Sequence, residues 1–235
     1  MSKSGRPSAQ TQLAPHEPLI VAICIPSGDS WQADMALSLY GLVTYGAVWN
    51  GRRVGVTLHN TRSSILPYSR NRLAATALST KADYLLWIDS DMKFPATSLE
   101  RLLAWDKDIV SIAASTRTMP PRLTAAHKKE RGYAAISIKP GSAGLVSVDG
   151  IGFGMVLAKR AVFEQLQQPW FEGFHIGADG IAYGEDYTFC QKARRAGYDI
   201  FVDQGLSHDV EHVGTCGFGL HGVGLKVCSD DAITQ

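Results

Sequence analysis

The sequence lacks several patterns that would place it in a common class. Its four cysteines (Cys24, Cys190, Cys216 and Cys228) are scattered without a CxxC pair, which argues against a zinc site and against a disulfide framework. No apolar run approaches the ~20 residues that cross a bilayer, and no signal-peptide core opens the chain. The formal net charge is +1, so global charge points neither to nucleic acid nor to a membrane surface. These absences predict a soluble, cytoplasmic protein without stable membrane insertion.

Length and composition favour one large folded domain. Of the 235 residues, 45% are hydrophobic and 19% are charged, which allows a sizeable core and excludes global disorder. Residues 1–18 are polar and rich in Ser, Gln and Pro, which predicts a flexible tail. Residues 215–235 carry several glycines, which predicts a second mobile tail. We therefore expect one α/β domain over residues 19–214.

Apolar runs and helical periodicities alternate along the first half of the chain. Residues 19–25 and 84–88 are continuous apolar runs, typical of strands that are buried on both faces. Residues 30–49 repeat apolar positions at helical spacing, and Ser69 would cap another helix. This alternation predicts βαβ units in a mostly parallel central sheet flanked by helices. No GxGxxG follows the first strand, which argues against NAD or FAD.

Two carboxylates follow the second of these strands. Asp89-Ser90-Asp91 comes directly after the apolar run that ends at Ile88. Ligands of open α/β sheets bind outside the carboxyl ends of the strands, and paired carboxylates can hold a hard divalent cation. The alternative is a turn in which Asp91 caps the next helix.

Three further stretches carry candidate binding or catalytic residues. Arg70 or Arg72, in the first turn of a predicted helix, is a candidate phosphate contact, because cations there run against the helix dipole. Glu185-Asp186 opens a later helix, where the acids either cap it or supply a general base. Residues 116–132 hold five basic residues and one acid. That segment is either a solvated loop or a contact for an anionic acceptor or donor phosphates.

Four motifs in one order together resemble the GT-A-fold glycosyltransferases that use nucleotide-sugar donors, most closely the family 2-like enzymes with small phage and bacterial members. The motifs are Ser69-Arg70-Asn71, the DxD at 89–91, Gly184-Glu185-Asp186 and His212-Val213-Gly214. The resemblance implies a single Rossmann-like GT-A domain and a hexosyltransferase-like enzyme. It would move a sugar from a nucleotide-diphosphate sugar, with UDP-sugars favoured, to a hydroxyl acceptor. A modified DNA base is allowed as acceptor but not favoured, and the location would be the host cytoplasm if a phage encodes the protein.

The resemblance also implies roles for single residues. Asp186 would be the catalytic base, with Glu185 in support. Asp91, Asp89 and His212 would bind Mn²⁺ or Mg²⁺, with His208 as a competitor of His212; a mixed oxygen and nitrogen site suits Mn²⁺ better. The donor-binding residues would be Pro26, Ser27, Gly28, Arg70, Asp89, Gly152 and Gly154.

Two other functions remain open at this stage. A non-catalytic nucleotide-sugar or carbohydrate-binding protein would keep its function without Asp186. A nucleotidyltransferase would also use paired acids and a metal, but residues 26–30 lack the basic residue that its first loop needs. Inversion and retention at the sugar share this fold, so the stereochemical outcome is undecided.

Overall fold

The fold is built on an eight-stranded β-sheet with helices on both faces. The structure, a computed structural model, describes residues 17–178, 180–214 and 217–218. The strands are β1 (Leu19–Ser27), β2 (Val48–Trp49), β3 (Arg52–Arg62), β4 (Tyr84–Ile88), β5 (Met92–Lys93), β6 (Ile109–Ser111), β7 (Ala126–Lys128), β8 (Tyr133–Ala135), β9 (Leu145–Val148), β10 (Met155–Lys159), β11 (His175–Ile176), β12 (Ala182–Tyr183), β13 (Ile200–Asp203), β14 (Glu211–Val213) and β15 (Gly217–Phe218). The helices are α1 (Ala33–Tyr45), α2 (Leu66–Leu78), α3 (Ser98–Ala104), α4 (Arg160–Gln165), α5 (Glu185–Arg195) and α6 (Gln204–His208).

The large sheet is mixed. Its strands lie in the order β2-β3-β1-β4-β10-β6-β13-β9. β3, β1 and β4 are parallel neighbours, and β6 is parallel to β13. β10 runs antiparallel between β4 and β6, and β2 and β9 are antiparallel at the two edges. Antiparallel pairings therefore outnumber parallel ones.

This topology confirms an α/β fold and corrects the prediction of a mostly parallel sheet. β10 is a continuous buried apolar run, the pattern that is expected of a strand in a parallel sheet. Burial on both faces produces that pattern whichever way the strand runs. The apolar pattern of a buried strand therefore does not determine its direction, and the expectation of a mostly parallel sheet was wrong.

The two faces of the sheet carry separate cores. Along β4, Leu85 and Trp87 belong to one cluster, and Leu86 and Ile88 belong to the other, as the period of two in a strand requires. One face packs against α2, α4 and α5 through an aromatic cluster: Trp87, Phe153, Phe163, Phe171 and Phe189. The other face packs against α1 and α3 through aliphatic side chains such as Met35 and Leu102.

The start of α2 differs from the prediction. The helix begins at Leu66, with Pro67 at its amino end, where a missing N–H costs nothing. Ser69 is therefore inside the helix and does not cap it, and its hydroxyl is buried. Arg70 lies beyond the first turn, so the argument from the helix dipole does not apply to it.

Three smaller sheets surround the large one. β7 pairs with β8, and β11 pairs with β12. β14 lies between β5 and β15, all antiparallel. The predicted tails lie mostly outside the described residues, since residues 1–16 and 219–235 are not described. None of the helices in the described ranges has the length and apolar character needed to cross a bilayer.

Candidate active site

The carboxyl edge of the parallel strands gathers the acidic residues that the sequence singles out. β4 ends at Ile88, and the N–H of Asp89 donates to the carbonyl of Gly154 at 3.0 Å. β5 then pairs with β14 so that Met92 lies opposite His212. The N–H of Val213 donates to the carbonyl of Asp91 at 2.7 Å. Strand pairing thus brings His212 beside Asp91 across a long sequence separation.

Asp91 lies between two basic side chains. His212 Nε2 is 3.2 Å from Asp91 Oδ1, and Arg117 Nη1 is 2.9 Å from Oδ2. Nδ1 of His212 is 3.0 Å from the carbonyl oxygen of Ser115, so Nδ1–H donates there and Nε2 is directed at the carboxylate. Asp91 and His212 are each less than one-fifth exposed, whereas Arg117 is about half exposed.

The charges in this cluster favour the ionised forms of Asp91 and His212. The pKa of Asp91 is lowered and the pKa of His212 is raised. Burial raises the pKa of Asp91, but the hydrogen bond from His212 and the charges of His212 and Arg117 outweigh it, so the net pKa is lowered. Burial lowers the pKa of His212, but the bond to Asp91 and its charge leave the net pKa raised. Asp91 is therefore an anion at neutral pH.

Arg70 forms a second cluster with the other acids. Its side chain is 3% exposed, and Nη2 is 3.1 Å from Asp89 Oδ1. Nη1 donates to Oε1 of Glu185, and the guanidinium lies 5.1 Å from the centre of the Phe153 ring. One buried arginine thus joins the end of β4 to the first residue of α5, which places Glu185 and Asp186 at the same edge as the DxD.

Two carboxylates near Arg70, those of Asp89 and Asp186, have raised pKa values. Burial raises the pKa of Asp186 to about 6. The charge of Arg70 opposes this rise, and the charges of Glu185 and Asp89 add to it. Burial also raises the pKa of Asp89, again opposed by Arg70. A carboxylate with a pKa near 6 is ionised at neutral pH, yet it is basic enough to accept a proton in a reaction.

Asn71 fixes the distance between α2 and the segment before α5. Its Nδ2 donates to the carbonyl of Phe171 at 2.6 Å, and its Oδ1 accepts from the N–H of Phe171 at 3.2 Å. This two-way bond holds Arg70 in reach of Glu185. The neighbouring Arg72 is exposed and donates to Tyr68, so of the two predicted phosphate contacts only Arg70 belongs to the site.

The residues predicted to form a loop after the first strand lie at the same edge, where Pro26 and Ser27 end β1 and Gly28 follows. Pro26 and Ser27 are buried, whereas Gly28 is exposed with open space where a side chain would be. The Ser27 hydroxyl accepts from Asn60 Nδ2 at 2.9 Å, so it is already oriented by β3. Asn60 was not predicted, because a polar residue inside a half-exposed strand gives no local signal.

The two predicted donor-contact glycines have close neighbours. A Cβ at Gly152 would be 2.9 Å from Cβ of Thr124, and a Cβ at Gly154 would be 3.1 Å from Sδ of Met92. Packing against Thr124 and Met92 therefore already favours small residues at both positions. That they line the donor sugar stays a prediction.

The fit of a divalent cation rests on Asp91 and His212. When two ligand atoms each lie about 2.1 Å from one ion and make a right angle at it, they are about 3 Å apart. The distance between His212 Nε2 and Asp91 Oδ1 is 3.2 Å, which is near that value. Ser115 orients the ring through its other nitrogen, as a second-shell group does at metal sites. Among the described residues no three His, Cys, Asp or Glu side chains converge as a metal site, and Asp89 contacts Arg70 instead. The protein thus offers a pair of ligands, which suits an ion completed by phosphate oxygens and water.

Of the remaining predicted residues, His208 is not paired with Asp91, whereas Arg117 contacts it. His208 ends α6, and the structure pairs Asp91 with His212 and not with His208. Of the basic segment at 116–132, Arg117 reaches the site. The sequence identified the segment but gave no reason to separate Arg117 from its basic neighbours.

Comparison with known proteins gives a family match over part of the chain and likenesses to solved structures. The sequence model of the family described as Anp1 matches residues 49–137, less than half of the chain but including Arg70 and the DxD. That family is tied to glycosyltransferase-like proteins, so the match indicates a glycosyltransferase-like protein. No curated protein sequence matches the chain. The solved structure described as "Crystal Structure of A197 from STIV" is similar, with a TM-score of 0.54 and 17% sequence identity over 83% of this chain and 86% of that chain. At this identity the likeness shows a shared fold alone.

Proposed function

We propose that this protein is a metal-dependent glycosyltransferase that moves a sugar from a nucleoside-diphosphate sugar, UDP-sugars being favoured, to a hydroxyl acceptor. The observation that carries the proposal is the meeting of four distant motifs at one sheet edge. Arg70 contacts Asp89 and Glu185, and Asp91 contacts His212. The Anp1 match supports the same class.

The Asp91 cluster suits the donor diphosphate. Breaking the sugar–phosphate bond leaves negative charge on the nucleoside diphosphate, and a bound divalent cation would neutralise part of it. Asp91 and His212 would hold that cation. Arg117, half exposed and already directed at Asp91, lies where it would donate to a phosphate oxygen.

The Arg70 cluster suits the acceptor hydroxyl. Asp186, with a pKa of about 6, would accept the proton of the attacking hydroxyl in an inverting reaction. Arg70 limits how far burial raises that pKa, so the carboxylate stays ionised at neutral pH. Glu185 fixes Arg70 from the other side.

The proposal is tested by nucleotide binding in the presence and absence of Mn²⁺. The melting temperature is measured with a panel of nucleoside diphosphates, each with and without the ion. A ligand at 100 times its Kd adds about 2.7 kcal/mol of stability, or about 5 to 11 °C for a chain of this size. We expect one base to give a shift that depends on Mn²⁺.

The variant Asp91→Asn should lose the Mn²⁺-dependent shift. Its matched control is Asp29→Asn, because Asp29 is an almost fully exposed acid paired with Arg62. Unchanged binding by Asp91→Asn, or no shift with any nucleotide, contradicts the assignment. A non-catalytic binding protein would give the shift but no sugar transfer, and Asp186→Asn would leave its function intact.

A further inference from the structure

A polar cavity lies toward the carboxyl end of α5, away from the acids at its amino end. It has a volume of about 310 Å³, and three cationic side chains face one carboxylate in its wall. The lining residues are Lys128, Tyr133, Asp149, Gln191, Arg194 and Arg195. A cavity of this size is at the lower end of the range for small-molecule sites.

Local structure explains only part of this positive charge. Arg194 and Arg195 end α5, where the helix dipole favours cations, and Arg194 pairs with Asp149 at 3.6 Å and with Asp199. Lys128 comes from a separate element, β7, and adds a like charge to the same wall. Within the described ranges neither Lys128 nor Arg195 forms an ion pair with a carboxylate. Both side chains are exposed, so an anion from solvent can reach their charges.

Two packed aromatic rings connect the wall of the cavity to the residue that follows Asp186. Tyr133, in its wall, lies 4.7 Å from the ring of Tyr187, the residue after Asp186. The Tyr187 hydroxyl donates to the carbonyl of Thr124 at 3.0 Å, which fixes that ring. A Cβ at Gly150 would be 2.6 Å from Tyr187, so the missing side chain allows the contact. Five to nine residues of helix separate Asp186 from the lining residues of α5, about 8 to 14 Å along its axis.

We propose that this cavity binds a phosphate group carried by the acceptor, so that the acceptor is a small phosphate monoester with a free hydroxyl, such as a sugar phosphate. The inference rests on the proposed function, because it takes Asp186 as the base that meets the hydroxyl. Guanidinium and ammonium donors from two elements match phosphate oxygens. The separation of about 8 to 14 Å along the helix axis is the length that a sugar phosphate of one or two rings has to bridge.

The test is a calorimetric titration with glucose 6-phosphate, inorganic phosphate and glucose as probes. We expect glucose 6-phosphate to bind more tightly than inorganic phosphate, and glucose to give no measurable binding. The double variant Lys128→Ala/Arg195→Ala should bind glucose 6-phosphate about tenfold more weakly, since it loses two charge-assisted contacts. The matched control is Lys81→Ala/Lys139→Ala, which removes the same charge from two exposed lysines outside the cavity and should bind as the unchanged protein does.

Several results overturn the inference. They are unchanged affinity in the double variant, an equal loss in the control, inorganic phosphate binding as tightly as the sugar phosphate, or a single-stranded oligonucleotide that outcompetes glucose 6-phosphate. Nucleoside diphosphate binding with Mn²⁺ is measured on the same variants and should not change. If no nucleoside diphosphate binds the unchanged protein, the proposed function fails, while the sugar phosphate titration still decides whether the cavity is a phosphate site.

Discussion

Replacing Arg70 by methionine is expected to destabilise the protein strongly and in a pH-dependent way. Arg70 is 3% exposed and paired with Asp89 and Glu185, which are themselves one-quarter exposed or less. Methionine keeps a long apolar side chain against Phe153 and Phe171, the two rings beneath the guanidinium, so the change removes mainly the charge. Removing one partner of a buried pair costs about 3 to 5 kcal/mol, because the remaining charge is left unpaired.

The sign of the pH dependence follows from the acids that remain. Without Arg70, the folded-state pKa values of Asp89 and Asp186 rise further above their unfolded values near 4. An acid with a raised folded-state pKa binds more protons in the folded state, so stability is lost as the pH rises above the unfolded pKa. The full loss of about 3 to 5 kcal/mol is expected at pH 8, and protonation should reduce it by about 1 kcal/mol or more at pH 5.

Urea denaturation followed by tryptophan fluorescence at pH 5 and pH 8 measures both quantities. The matched control is Arg62→Met, because Arg62 pairs with Asp29 at the surface with both side chains more than two-thirds exposed; such pairs contribute about 0 to 1 kcal/mol. A loss below about 1 kcal/mol for Arg70→Met at pH 8, or an equal loss at the two pH values, refutes the reasoning.

Two other substitutions probe the site and the packing behind it. For the proposed sugar transfer by the unchanged protein, kcat/KM should rise with pH and level off above about 6, the pKa of Asp186. Asp186→Asn should lower it about 10²- to 10⁴-fold, and a profile that is flat between pH 5 and 8 contradicts the proposed role of Asp186 as base. Gly150→Ala should cost about 1 to 3 kcal/mol, because its Cβ would lie 2.6 Å from Tyr187. Gly173→Ala, with open space at its Cβ, is the control in the same urea experiment, and equal stabilities of the two variants would show that the ring contact is not tight.

The elements that the sequence predicts well are those whose own residues determine them. The apolar run of β4 is buried at every position, and β1 extends the predicted strand by two residues. The DxD follows β4 at the carboxyl edge, because a buried strand must end where its apolar run ends. Strand direction is different, since β10 pairs with two strands that are distant in sequence, and no local pattern encodes that choice.

The parts of the site that the sequence missed depend on contacts over long sequence separations. The predicted Ser69 cap is an exception with a local cause: it is wrong because the helix already begins at Leu66, with Pro67 at its amino end. Arg117 resembles its basic neighbours in sequence and is distinguished only by its position beside Asp91. The sequence singles out Arg70 as a candidate contact. It does not show that Arg70 bridges Asp89 and Glu185, because that contact requires the packing of α2 and α5 on one face of the sheet.

The two acids of the DxD differ in electrostatic environment although only Ser90 separates them. Asp89 joins the Arg70 cluster, and burial leaves its pKa raised; Asp91 joins His212 and Arg117, and its pKa is lowered. When neighbouring carboxylates have pKa values shifted in opposite directions, they are suited to different work. Asp91, ionised at neutral pH and beside an imidazole nitrogen, suits a cation. Asp89, which shares Arg70 with Glu185, is better suited to hydrogen bonds with ribose or sugar hydroxyls than to direct metal ligation.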